Sequence, residues 1–90
     1  MAHWVVEFQP GAEIDLARIN SSARRRVIDK LDWLEKNFDD LVPLSLTGGY
    51  KWFYKLRVGD WRAIYKVNWK SRVIIVCYID HRGVIYKRSR

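Results

Sequence analysis

Ninety residues with a formal charge of +7 and an isoelectric point near 9.9 suffice for one modest core and are too few to divide into two. Hydrophobic residues make up 49% and aromatic residues 14%, which excludes a disordered chain, while the positive charge calls for an anionic partner, nucleic acid or an acidic protein. The sequence has no apolar run long enough to span a membrane and no signal-peptide core, and its lone Cys77 excludes a disulfide framework; a single domain over residues 1–90, in the reducing cytoplasm, is therefore expected.

In chain order, His3 to Gln9 reads as a short strand stopped by Pro10-Gly11. Ala12, Leu16 and Ile19 fit one face of a short helix that Asn20 and Ser21-Ser22 interrupt, with Ser21 or Ser22 as the N-cap of the next. From Ala23 to Phe38 the apolar positions Ala23, Val27, Ile28, Leu31, Leu34 and Phe38 recur every three or four residues, the pattern of an amphipathic helix. Arg24-Arg25-Arg26 in its first turn opposes the helix dipole and is read as a solvated face, with a phosphate or ribosome contact as the second reading. Asp39 to Gly49 is an irregular link through Pro43.

Trp52 to Val67 then forms two strands joined by a tight turn at Gly59-Asp60. This register sets Val58 opposite Trp61, Arg57 opposite Arg62, Leu56 opposite Ala63, Lys55 opposite Ile64, Tyr54 opposite Tyr65 and Phe53 opposite Lys66. Trp52, Tyr54, Leu56, Val58, Trp61, Ala63, Tyr65 and Val67 share a face that something apolar must cover. Lys55, Arg57, Arg62 and Lys66 share the other, broken only by Phe53 and Ile64. After a polar turn at Asn68 to Ser71, Arg72 to Ile79 is apolar on both faces, as an interior strand covered twice would be. The order gives an α+β fold: an N-terminal strand, a two-helix hairpin, and a three-stranded antiparallel meander completing one sheet, with helices on one face and the other open and cationic.

Several chemistries find no support in the residues. His3 and His81 are far apart and there is one Cys, so no metal-ligand spacing exists; Gly48-Gly49 precedes a strand and is not a phosphate loop. Cys77 lies in an apolar run with no activating neighbour, and no Ser-His-Asp motif is present. No cofactor is expected. What remains is cleavage of RNA without a metal, in which the ribose 2′-hydroxyl attacks the adjacent phosphate while cations hold the charge that builds there. Lys55, Arg57 and Arg62 supply that charge; His81, Arg82 and Tyr86 are the candidates for handling protons and gripping the scissile phosphate. Taken singly, His81 also fits a turn and Tyr86 a sheet-edge packing residue. Tyr and Arg are weak acids at their reference values, so such a site needs its substrate held in place by something else.

Three blocks, Leu46-Thr47-Gly48-Gly49, Tyr54 to Tyr65 (YKLRVGDWRAIY) and Ile79 to Tyr86 (IDHRGVIY), resemble the RelE/ParE superfamily of bacterial and archaeal type II toxins, in order and spacing. The resemblance spans essentially the whole chain. It implies a toxin paired with an acidic antitoxin, in a complex that can be of higher order. In the RelE branch it implies cleavage of mRNA in the ribosomal A site, leaving a 2′,3′-cyclic phosphate. By that resemblance Lys55 contacts substrate phosphates, Arg62 binds the scissile region, Arg82 supports acid catalysis or the transition state, and Tyr86 acts as base or stacks; Arg57 and Lys66 extend the substrate-binding surface. Phe53 stands where some members carry a second lysine, and Gly83 where others carry a second arginine, which would make the site weaker or shift work onto His81 and Arg57. The alternative is a ParE-like toxin that inhibits DNA gyrase by binding alone; a third is a degenerate relative that only binds antitoxin or RNA. The His81-Arg82…Tyr86 set favours the ribosome-dependent nuclease.

Overall fold

The computed structural model of the chain describes residues 3–46 and 52–84. Strand β1 (Val5–Phe8) leads into helix α1 (Pro10–Arg18), helix α2 (Ser21–Asn37) and a 3-10 turn at Phe38–Asp40. Four strands come next: β2 (Leu44–Ser45), β3 (Tyr54–Val58), β4 (Trp61–Asn68) and β5 (Val73–His81). They form one mixed sheet in the order β1-β5-β4-β3-β2, antiparallel except for β1 and β5. The α+β class, the helix pair and the meander are as the sequence predicts. The link expected to be irregular contributes a fifth strand, β2, paired through Leu44 and Ser45 to Lys55 and Tyr54.

Local chemistry explains the helix boundaries. Pro10, expected only to end the strand, occupies the first turn of α1, where its fixed φ suits the helix and its missing N–H costs nothing. The cap of α2 is Asn20 and neither of the expected serines: its side-chain oxygen accepts the Ala23 N–H at 2.8 Å. Arg24 is not merely solvated. Its guanidinium donates to the carbonyls of Leu16 (2.9 Å), Ala17 (3.1 Å) and Ile19 (2.9 Å), closing the C-terminal end of α1 with a cation where the dipole is negative. Thus one residue of the arginine run ties the start of α2 to the end of α1.

The core lies between the helix pair and the sheet. Ala23, Val27, Leu31 and Leu34 of α2 pack with Ala12 of α1 over Leu56, Val58, Ala63, Tyr65, Ile74, Val76 and Ile79. Phe38, Trp4 and Trp69 close one end, with Trp4 and Phe38 ring centroids 4.6 Å apart and the Trp4 indole N–H donating to Asp39 at 2.8 Å.

Strand β5 departs from plain alternation for a specific reason. Tyr65 pairs with Val76 and Ile64 with Tyr78, leaving Cys77 without a partner on β4. This bulge shifts the parity of the strand beyond it, so Ile74 and Val76 on one side and Ile79 on the other enter the same core. The unalternating run in the sequence records that shift as well as the strand's interior position.

A candidate anion site at the turn end of the sheet

The β3–β4 turn is made by Gly59, whose φ of 59° fits the first position of a hairpin turn that non-glycine residues avoid. The register around it is the predicted one for five pairs, from Val58 with Trp61 to Tyr54 with Tyr65. Phe53 leaves the ladder instead of facing Lys66; its carbonyl accepts the Leu46 N–H at 3.1 Å. Trp52, expected under the helices, is 76% exposed because it precedes β3.

The outer face is organised in rows. Nearest the turn, Arg57, Arg62 and Asp80 are successive cross-strand neighbours. In the next row come Lys55, Ile64 and Tyr78, and beyond that Lys66 opposite Ile75. The face is not uniformly open. Ile64 is 1% exposed, covered by Leu46, Phe53 and Tyr78 in a second, small apolar cluster. That cluster divides the cations: Lys66 lies beyond it, with its ammonium 5.2 Å from the centre of the Phe53 ring, while Arg57 and Arg62 stay at the turn with Lys55 beside them.

Arg57 and Arg62 are like charges directly opposite, an unfavourable pair. Arg62 turns its Nη1 onto the carbonyls of Gly59 (2.7 Å) and Trp61 (2.8 Å), so the turn backbone takes up part of its charge. Arg82 joins the same end: its N–H donates to the Asp60 carbonyl at 2.8 Å, and its Nε lies 3.6 Å from the Asp60 carboxylate. Both side chains of that ion pair are 64% exposed, so the pair is weak and open to exchange for another anion. Three guanidiniums, from Arg57, Arg62 and Arg82, thus meet at one end of the sheet with Asp60 and Asp80 between them.

His81 stands differently. It pairs with Trp61, and the two rings meet edge-on with centroids 5.7 Å apart on the helix side of the sheet rim, so the imidazole does not share Arg62's face. Its Nδ1 accepts the Gly83 N–H at 3.4 Å, leaving Nε2 as the proton-bearing atom of the neutral ring. Tyr86 and the Thr47-Gly48-Gly49 segment lie outside the described residues.

Three carboxylates have roles that the sequence did not suggest, Asp60 having been expected only as a turn residue. Asp60 and Asp80 temper the cations, and Asp15 sets the strand that carries Asp80 to Arg82. Strand β1 stops pairing at Val76, and α1 takes over that edge of β5: Gln9 N–H donates to the Val76 carbonyl at 2.9 Å, and the buried Asp15 carboxylate accepts the Ile79 N–H at 3.0 Å. The signal was available, since an acid at the third position after Ala12 falls on the buried stripe of a helix.

Elsewhere burial acts against ionisation. It pushes the Cys77 thiol above its usual range, with the charge of Lys66 and a backbone hydrogen bond there pulling the other way. Among the described residues no group of His, Cys, Asp and Glu could hold a metal, and no helix is long and apolar enough to cross a membrane.

Residues 6–86 match the family model of the ParE toxin of type II toxin-antitoxin systems. The chain belongs to this family, within the RelE/ParE superfamily. Among solved structures, the RelE–RelB complex from Pyrococcus horikoshii is 31% identical, with a TM-score of 0.68 over 92% of this chain and 98% of that one. The RelBE2 toxin–antitoxin complex from Mycobacterium tuberculosis has a TM-score of 0.78 at 20% identity, over 90% of this chain and all of that one. The isolated E. coli RelE toxin has a TM-score of 0.72 at 20% identity, covering 98% and 95%. At those two lower identities the likeness is one of fold. No curated protein sequence matches significantly. A ParE-family toxin on the RelE fold is therefore the frame in which the site residues have to be read.

Proposed function

We propose that this toxin inhibits translation by cutting mRNA on the ribosome, with side chains and no metal supplying the charge. The observation that carries the reading is the meeting of Arg57, Arg62 and Arg82 at the turn end of the sheet, with Lys55 beside them. A phosphodiester lying across this end would exchange the weak Asp60 contact of Arg82 for its own oxygens and take the Arg62 guanidinium in bidentate form. The 2′-hydroxyl attacks phosphorus, the P–O5′ bond breaks, and the products are a 2′,3′-cyclic phosphate and a free 5′-hydroxyl. The hydroxyl's proton passes to a base and one is returned to the leaving oxygen; Tyr86 is assigned to this exchange and Arg62 and Arg82 to the charge on the phosphorane, while His81, its ring against Trp61 on the other side of the rim, is left out of it. Lys55, Arg57 and Lys66 bind flanking phosphates. Because none of these groups is a strong base at neutral pH, the ribosome supplies the orientation that the protein lacks.

The partner that silences it is an acidic antitoxin. Both the M. tuberculosis and P. horikoshii structures are toxin–antitoxin complexes, and a chain of charge +7 suits an acidic segment laid across it. The cytoplasm, where ribosomes are, is its place of action.

Cleavage of a programmed ribosome complex, compared with the same RNA free, tests the proposal. Cutting only on the ribosome, lowered by orders of magnitude by Arg62→Ala and Arg82→Ala and sharply slowed by Tyr86→Phe, is expected; equal cutting of free RNA rejects ribosome dependence. A second reading, gyrase inhibition by binding alone, is favoured by the ParE identity of the family model and by Phe53 and Gly83 standing where cations are found in relatives. Loss of DNA supercoiling by gyrase in the presence of the toxin, with translation unaffected, would establish it.

A further inference from the structure

The turn end of the sheet has a second basic side, facing α2. Arg26 and Lys30 of α2 and Arg57 of β3 line an open groove of about 440 Å³, with Trp33 and Gly59 completing its walls. Arg26 reaches across to the hairpin, its Nη1 3.8 Å from where a side chain on Gly59 would begin. Arg26 and Arg57 have no ion-pair or hydrogen-bond partner among the described residues. The acid that also lines the groove, Asp29, is engaged by Arg25 at 3.6 Å. Lys30 holds its ammonium 3.9 Å from the centre of the Trp33 ring, and that indole is 40% exposed.

Arg57 belongs to both basic surfaces. It is Arg62's neighbour on the outer face, and it lines the groove because β2 pairs only with Tyr54 and Lys55, so that among the described residues no strand lies beside the edge of β3 from Leu56 to Val58. Arg57 thus presents one cation to both the outer face and the groove. From this continuity we propose that a single-stranded RNA bound on the outer face continues around the β3 edge into the groove, its phosphates on Arg57, Arg26 and Lys30 and an unstacked base on the indole of Trp33. The inference rests on the reading of the toxin as an RNA-binding protein, and enlarges its footprint. Two unpaired guanidiniums match phosphate oxygens in geometry, and a part-exposed indole among cations offers a face to a base of any sequence. An acidic peptide would use the charges and leave the indole idle.

The test is titration of the intact toxin with a short single-stranded RNA whose riboses are 2′-O-methylated, so that no attacking hydroxyl exists, over a range of salt concentrations. Arg26→Ala and Lys30→Ala should each weaken binding several-fold and lower the slope of log Kd against log salt by roughly one. Trp33→Leu should weaken it about tenfold with the slope retained. Lys70→Ala, which removes the same charge from the turn at the opposite end of β4, should leave both within about twofold. Wild-type affinity and slope in Arg26→Ala and Lys30→Ala overturn the proposal, as does loss through Lys70→Ala equal to theirs. Polyglutamate binding as tightly as RNA, with the same dependence on Arg26 and Trp33, also overturns it, in favour of an acidic protein. A toxin that binds RNA through this groove and cuts none fails only the nuclease reading; one whose cleavage needs Arg62 but whose binding ignores Arg26 fails only this one.

Discussion

On the helix side of the β3–β4 hairpin, Leu56 and Val58 are 8% exposed, Tyr65 1% and Ala63 0%, in one continuous core with both helices. One residue along each strand, the other side carries Lys55, Arg57, Arg62 and Lys66, a two-residue apolar cluster around Ile64 and Leu46, and a like-charged pair facing each other. The same backbone serves both, so the difference lies wholly in the side chains. The helix side is arranged for stability, and the outer side gives some of it up to concentrate charge where an anion can bind.

That division is broken most forcefully by large-to-small substitutions. Leu34→Ala should destabilise by about 2–5 kcal/mol in denaturant unfolding, since it opens a cavity between α2 and the sheet. Ile64→Ala should fall at the low end of that range, because its cover is thin; equal losses would mean that the outer face holds a second core. Arg62→Ala should do the reverse, lowering ribosome-dependent cleavage by roughly 10²–10³-fold, the cost of one lost transition-state donor, while shifting stability by less than about 1 kcal/mol.

Asp15 joins the two sides. Its carboxylate stands in for a strand carbonyl at the edge of β5, so Asp15→Ala leaves the Ile79 N–H without its acceptor at a cost of about 1–3 kcal/mol. Hydrogen exchange should quicken at Ile79 more than at Ile74, which keeps its place beside β1; uniform quickening would make Asp15 an ordinary core residue.

Tyr65 tests how closed the helix side is. Burial, aided by Tyr54 stacked 5.6 Å away, pushes its phenol well above the usual 10.0. The folded chain keeps this proton while the unfolded chain releases it from about pH 10, so the contribution is intact below pH 10 and is lost as pH rises above it. Tyr65→Phe should make the alkaline fall in stability shallower; an unchanged profile would mean that water reaches the ring's hydroxyl freely.

Much of this was legible in the sequence because it depended on period. Alternation in Tyr54–Tyr65 gave the register and both faces, and three-four spacing gave α2. What was not legible depended on contacts between distant residues. Arg24 reads as a surface cation until α1's last carbonyls are placed beside it; β2 has only two residues and no pattern; and the parallel docking of β1 on β5 has no local signal. At the site, one missed bulge mattered most. Without the extra residue at Cys77, Asp80 and His81 exchange faces, so His81, grouped with Arg62 on its chemistry alone, is carried to the other side of the rim by a shift that residue type does not reveal.

The smallest expected effect has the opposite sign from the others. Arg57 is exposed, lies directly across from Arg62 and has no counterion among the described residues, whereas Arg62 has two turn carbonyls. Replacing Arg57 with Thr removes the repulsion and puts a good strand former in its place, so stability should rise by about 0.2–1 kcal/mol. The gain should shrink as salt is raised, since exposed charges are screened beyond about 10 Å at 0.1 M. Added phosphate should stabilise the wild type more than the variant, because only the wild type keeps all three guanidiniums at the turn. A toxin made more stable and less able to bind RNA by one substitution would show that the charge on this face is retained against the interest of the fold. A toxin destabilised by it would mean that Arg57 is part of the structure, and that the anion site begins at Arg62.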